Sequence, residues 1–408
     1  MAVGTLMLAL STAAMPKIDD SVVVSLNGRA VKVDYKLLEE PAVVTVDFGT
    51  NTSDGAWVSI GGKNQRRVTG DVNRLVDKVG STLSLSWTPD ESWSGDATEV
   101  TAKLTAWPTN DPPDWMEVSL VVSNTVRYFA SADFLPHGDI TNVMYKTEKM
   151  LLRRIPAAYE NWRAGEPLNA RAVSGYYSRA VPRLVSLTED YYIAVFPVTV
   201  YQRRLMTLGG DNSWHTTKEY WYSDSELKPA MEPYNTLRGT PDADFAGWPG
   251  GGNTLKAEAH LMRFRGHCGI EFDLPSEAQW EYACRAGTVS SLNNGANSGS
   301  AAINEVAWYG GNVSSLMPVG LLKANEFGLY DMHGNCWEWC LDWYSSVGFA
   351  DSVLVDPPGP DTGTDRIVRG GTYNNGSTQF LASGLRFNLA PTTSAAAAYR
   401  LCAPAEAK

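Results

Sequence analysis

The stretch Asn325–Tyr344, NEFGLYDMHGNCWEWCLDWY, restricts the fold of this chain more than any other. It sets three tryptophans, two cysteines and several carboxylates within twenty residues, a mixture that suits neither an amphipathic helix nor a half-buried strand. Asp331 and Glu338 flank His333-Gly334-Asn335, which reads as a tight turn. Such a turn exposes backbone carbonyls, and carbonyls with two carboxylates make the all-oxygen cage that Ca2+ takes. The same residues allow a plainer arrangement, in which both carboxylates satisfy backbone amides and arginines inside an aromatic core.

Around this stretch the chain is large enough for more than one core. Its 408 residues, 44% of them hydrophobic and including 14 Trp and 18 Tyr, predict two or three domains. The formal net charge of −11 argues against a nucleic-acid binder, which needs a basic footprint. The histidines are His137, His215, His260, His267 and His333, and no two lie at ligand spacing on one element, which argues against a His-based iron or zinc site. No apolar run reaches the roughly 18 residues of a membrane-spanning helix. Residues 1–14, MAVGTLMLALSTAA, read as a secretory signal cleaved after Ala14, hence a secreted or periplasmic protein, although the basic start of such a signal is missing. The alternative is an apolar leader to the first strand. Export would let pairs among Cys268, Cys284, Cys336, Cys340 and Cys402 oxidise, with one thiol left over.

From about residue 20 to 125 the pattern is antiparallel β. Val22–Leu26, Val31–Tyr35, Ala42–Phe48, Trp57–Ile60, Leu83–Trp87, Val100–Trp107 and Met116–Val122 are Val-rich or alternating, with Asn27-Gly28 as a hairpin turn between the first two. Seven short strands predict an immunoglobulin- or fibronectin-like β-sandwich over residues 15–125. Residues 126–180 read as a transition, punctuated by Pro156, Gly165, Pro167 and Gly175. Val185–Val200 reads as one or two strands, and Asn253–Gly269 has helical period. Ser276-Glu277-Ala278-Gln279 is a capping box that starts a further helix, read as core with no chemistry of its own. Residues 288–300 form a polar loop, and helix signals stop beyond Asn304.

GLYDMHGNCWEW resembles the signature of the formylglycine-generating enzyme, or sulfatase-modifying factor, family. Three further segments agree in the family's order: FDLPSEAQWEYACRAGT at 272–288, RIVRGGTY at 366–373 and YRLC at 399–402. Val185–Val200 resembles the family's opening segment. The resemblance implies an elaborated C-type-lectin-like domain, here residues 181–404, with little regular secondary structure. The fold class expected of the whole chain is therefore α+β, an N-terminal β-sandwich followed by this domain.

The resemblance also implies chemistry. Family oxidases convert a sulfatase cysteine with two copper-binding thiols, the first two residues after the aromatic of RGGS[WY] and the second five further on. Counting from Tyr373, those positions hold Asn375 and Phe380, neither a soft ligand for Cu(I), so copper is not expected and oxidase activity is left open. The related iron-dependent sulfoxide synthases need a His cluster that this chain lacks. For a family Ca2+ site, the matching atoms are the side chains of Asp331 and Glu338 and the carbonyls of Gly334 and Cys336. A Cys340–Cys402 disulfide is expected because the YRLC segment returns to the Trp-rich core. The segment between Arg369-Gly370-Gly371 and Arg400-Leu401-Cys402 corresponds to the ligand-binding face of the variable proteins of diversity-generating retroelements. Tyr373, Asn374, Asn375, Ser377, Thr378, Phe387 and Asn388 are its candidate contacts, and short polar groups with occasional aromatics suit an adaptable recognition surface. The expected function is a non-catalytic binding or accessory module for a protein or glycan ligand. A formylglycine-generating oxidase with a non-standard site and a variable retroelement protein are the alternatives.

Overall fold

A computed structural model describes residues 15–158, 160–166, 181–208, 223–239, 255–345, 353–376, 378–393 and 397–408. Residues 1–14, read above as a secretory signal, lie outside the described residues, as does Ser377. The chain divides into two compact units, one ending at Pro112 and one beginning at Pro113.

The first unit is a sandwich of two antiparallel sheets. In one, Ala30–Leu38 pairs with Thr82–Trp87, which in turn pairs with Val68–Gly70, and the short strands Lys17–Ile18 and Val23–Asn27 line its other edge. In the other, Ala42–Asn51 is central, paired with Trp57–Ser59, Arg74–Val76 and Val100–Pro108. Alternation decides which side of Ala30–Leu38 is buried: Val31, Val33, Tyr35 and Leu37 point inward, and the residues between them do not. Against them pack Val44, Val46, Leu83, Leu85 and Trp87, and the Trp87 ring stacks on Phe48 at 5.0 Å. No cysteine contributes, so apolar burial holds this unit. The expected hairpin shifts by one residue. Asn27 pairs with Ala30, so the central residues are Gly28-Arg29, and Gly28 at φ 63° supplies the left-handed first position of a II′-type turn.

The boundary also moves. The strand expected at Met116–Val122 forms at Trp115–Ser119 and, instead of closing the sandwich, joins a second-unit sheet in the order Val126–Phe129, Trp115–Ser119, Lys149–Ile155, Tyr191–Ala194, Cys402–Pro404. The supposed transition thus supplies two strands of that sheet, and Glu160–Ala164 pairs with Arg183–Leu187 in another. Its mixed charge misled the reading, because Met150, Leu151 and Leu152 are buried while Arg153 and Arg154 bind Asp114 and Asp190.

The second unit is a largely β structure with short helices: α1 (Val200–Thr207), α2 (Tyr234–Arg238), α3 (His260–Cys268), α4 (Glu277–Arg285) and α5 (Ser300–Val306). α4 starts where the sequence predicts: Ser276 accepts from the amide of Gln279, and Gln279 returns the contact. A further sheet runs Phe387–Leu389, Arg366–Arg369, Trp337–Trp343, Ala397–Ala398. It sets the Trp-rich stretch between the two ends of the candidate recognition segment.

Candidate functional site

The turn before Trp337–Trp343 is tight for definite steric reasons. Asp331, Gly334 and Asn335 all have positive φ, at 57°, 71° and 58°. A Cβ on Gly334 would lie 2.1 Å from the carbonyl oxygen of Trp308, so only glycine fits. The turn is tied on several sides. Gly334 N–H donates to Gly370 O (2.7 Å), Asn335 N–H to Trp308 O (2.8 Å), and the Asn335 carbonyl accepts from Tyr373 N–H (2.9 Å). His333 lies beneath it, fully buried. Its Nδ1–H donates to Leu381 O and its Nε2 accepts from Asn293 N–H, while burial pulls the imidazole down to about 4, so it is neutral.

The two carboxylates of the turn face different partners. Glu338 is 1% exposed and sits across the guanidinium of Arg400, with contacts of 3.0 and 3.2 Å, and its Oε2 also accepts from Trp280 Nε1–H at 2.7 Å. Asp331 accepts from Gly320 N–H at 2.7 Å. Burial and, less strongly, the Glu338 charge push its carboxyl up to about 6 against that hydrogen bond, Arg400 and Lys146. Of the carbonyls assigned to a cation, that of Gly334 accepts from Cys336 N–H at 2.7 Å. Among the described residues, no group of three or more His, Cys, Asp or Glu is placed to hold a metal ion.

The candidate ligand residues divide. Asn374 and Thr378 are exposed, and Tyr373, Asn375, Phe387 and Asn388 are half-buried. Asn375 faces inward: its Oδ1 accepts from Thr372 N–H (2.8 Å) and its carbonyl from Gly310 N–H (3.1 Å). Phe387 stacks on Trp337 at 5.4 Å with Phe380 edge-on to both, and Asn388 donates to Asp365. The two positions matching the family thiols thus hold a turn-forming amide and one ring of an aromatic cluster.

No thiol elsewhere takes their place. All five cysteines are free and buried, and burial pushes Cys284 and Cys336 up to about 12 and raises Cys340 and Cys402 well above the ordinary thiol value. The expected Cys340–Cys402 disulfide is absent. Cys340 lies on the Trp337–Trp343 strand and Cys402 on a strand paired with Tyr191–Ile193, in two different sheets.

What the sequence reading missed is the ionic floor beneath this segment. Glu277 and Glu281, one turn apart on α4, face Arg183, Arg285, Arg369 and Arg386. Arg369 precedes the candidate recognition segment and reaches both carboxylates, at 3.4 Å from Glu277 and 2.6 Å from Glu281, while Arg386 near its end binds Glu277. Two residues before Arg386, Gly384 N–H donates to Glu166 at 2.7 Å. Burial alone would raise Glu277, but Arg386, Arg183 and Arg369 draw it down to about 2. Asp342 accepts from the amide of Glu277 at 2.6 Å, and burial with the Glu277 charge lifts it to about 7. The available signal was a pair of glutamates at i and i+4 on a helix otherwise read as core.

The fold and this motif-bearing turn define a sulfatase-modifying-factor-type domain. Residues 163–398 match the sulfatase-modifying factor enzyme 1-like domain, and the chain belongs to that family. It is 32% identical over 223 residues to the chaperone protein LppX of Paenibacillus barcinonensis, covering 45% of this chain and 69% of that protein. It is 39% identical over 111 residues to the formylglycine-generating enzyme of Streptomyces coelicolor, covering 24% of this chain and only 35% of the enzyme. Among solved structures, Treponema denticola variable protein 1 aligns over 63% of this chain and 95% of its own, with 26% identity and a TM-score of 0.46. No described helix is long and apolar enough to cross a membrane.

Proposed function

We propose that this protein is a binding or accessory member of its family, with the segment between Gly371 and Arg400 as its recognition surface and a protein or glycan as its ligand. The observation that carries the reading is Asn375 and Phe380 at the positions of the copper-binding thiols, both engaged in packing. The family's copper chemistry uses a pair of thiolates, and the thiols present here are buried and strongly disfavoured as anions. Tyr373, Asn374, Thr378, Phe387 and Asn388 keep solvent-accessible surface over an anchored frame, the mixture of aromatic area and short polar groups that adaptable binding faces use. A relative named a chaperone protein supports a polypeptide as the ligand.

Two assays test this together. Incubation with copper and a sulfatase-derived cysteine peptide is expected to give no aldehyde by mass spectrometry; product above a no-enzyme control returns the oxidase reading. On a peptide array and a glycan array, binding is expected on one, and Tyr373→Ala and Phe387→Ala are expected to abolish it. Binding that survives both substitutions, or no binding on either array, removes the proposed surface.

A further inference from the structure

The oxygen atoms that the family resemblance assigns to a divalent cation are already engaged within the chain: both Glu338 oxygens by the Arg400 guanidinium, Asp331 by Gly320 N–H and the Gly334 carbonyl by Cys336 N–H. Arg400 is fully buried, and each of its five N–H groups has an oxygen acceptor. Nε donates to Glu338 Oε2. One terminal nitrogen donates to the carbonyls of Ala194 and Val195, both at 2.7 Å, and the other to the Tyr330 carbonyl at 2.7 Å and to Glu338 Oε1. Three carbonyls and a carboxylate converging on one charge are the donor set a hard cation takes, here built around a guanidinium.

A second internal cation stands near the other carboxylate. Lys146 is 7% exposed, and its ammonium interacts with Asp331 and Asp139 and lies 5.1 Å from the Phe196 ring centroid. It reaches in because residue 320 is glycine: a Cβ there would stand 3.1 Å from Nζ and 2.4 Å from the Phe196 ring. Two buried carboxylates therefore face two buried cations. A divalent ion would have to displace the guanidinium from Glu338 and would be repelled by its charge.

We propose that this turn folds without a metal: Arg400 balances Glu338 from within the chain, Lys146 supplies a second internal cation, and the oxygens of the family's calcium site are spent on the chain's own donors. The reading is independent of the proposed ligand surface.

The test uses the full chain, metal analysis and thermal unfolding. Protein desalted without chelator is expected to carry no stoichiometric calcium, and its melting midpoint is expected to be the same in EDTA and in excess CaCl2. Bound calcium, or a midpoint that EDTA lowers and Ca2+ restores, brings in Asp331→Gly, whose backbone at φ 57° glycine tolerates. If the calcium effect vanishes in this variant, the ion sits at the turn and the proposal fails. If it persists unchanged, the ion lies elsewhere and the proposal stands. Should Asp331→Gly not fold, Glu338→Gln supplies the same comparison.

Discussion

Replacing Glu277 with Gln keeps the size and one acceptor of the side chain and removes only the charge. In the folded protein that carboxylate is 4% exposed and lies among Arg386, Arg183 at 3.1 Å and Arg369 at 3.4 Å. The substitution leaves Arg183 and Arg369 with Glu281 within 4.0 Å and takes away the carboxylate charge that Arg386 binds. Breaking a buried pair by removing one partner costs about 3–5 kcal/mol. Each kcal/mol moves the midpoint of a domain of 150–250 residues by about 2–4 °C, and the low factor applies to this larger unit, so the expected fall is about 6–10 °C. Scanning calorimetry is the assay, with the transition of the β-sandwich as internal reference. The pH profile adds a sign. Glu277 is held at about 2 in the fold against an ordinary 4.5, so its stabilisation is full above 4.5 and is lost as pH falls through 2. The gap between wild type and variant should be constant at neutral pH and close below pH 4.5. A second-unit midpoint that moves by less than about 2 °C at pH 7 would refute the view that the ionic floor stabilises the domain.

Asp342 should behave in the opposite sense. Its carboxyl is raised to about 7, so the stability it contributes is full below about 3.8 and is lost as pH rises through 7. Asp342→Asn should therefore gain on wild type, in urea midpoint, between pH 5 and pH 8, and parallel profiles would contradict this. Gly334→Ala combines a left-handed penalty of about 1–2 kcal/mol with overlap on Trp308 O and should cost more than about 2 kcal/mol in denaturant unfolding; a loss within about 0.5 kcal/mol would mean the turn relaxes. All five thiols should resist a thiol reagent in the native protein and all should react after non-reducing denaturation, whereas two missing thiols would reveal a bridge.

Local signals carried most of what the sequence made legible. The capping box at Ser276, the tight turn at His333-Gly334-Asn335 and the alternation in Val31–Tyr35 each depend on neighbours a few residues away, and each is found in place. The domain boundary depends on which strand Trp115–Ser119 pairs with, and its partner Lys149–Ile155 lies thirty residues on with charges that masked its buried face. At the site, the turn was legible but the partner of Glu338 was not, because Arg400 arrives from 62 residues away. For the same reason Glu277 and Glu281 looked like ordinary helix surface, since their arginines come from three separate segments besides α4 itself.

Arg400 and the strand Cys402–Pro404 also set a schedule. Tyr191–Ile193 gains its outer sheet partner, and the carbonyls of Ala194 and Val195 their guanidinium, only from residues made about two hundred positions later. On a ribosome adding roughly 5–20 residues per second, the β-sandwich is available to fold on the order of tens of seconds before that strand exists. Until then the Tyr191–Ala194 edge is open, and it is the segment a nascent-chain chaperone would have to shield. Closure of this sheet therefore has to wait until residue 404 has left the exit tunnel.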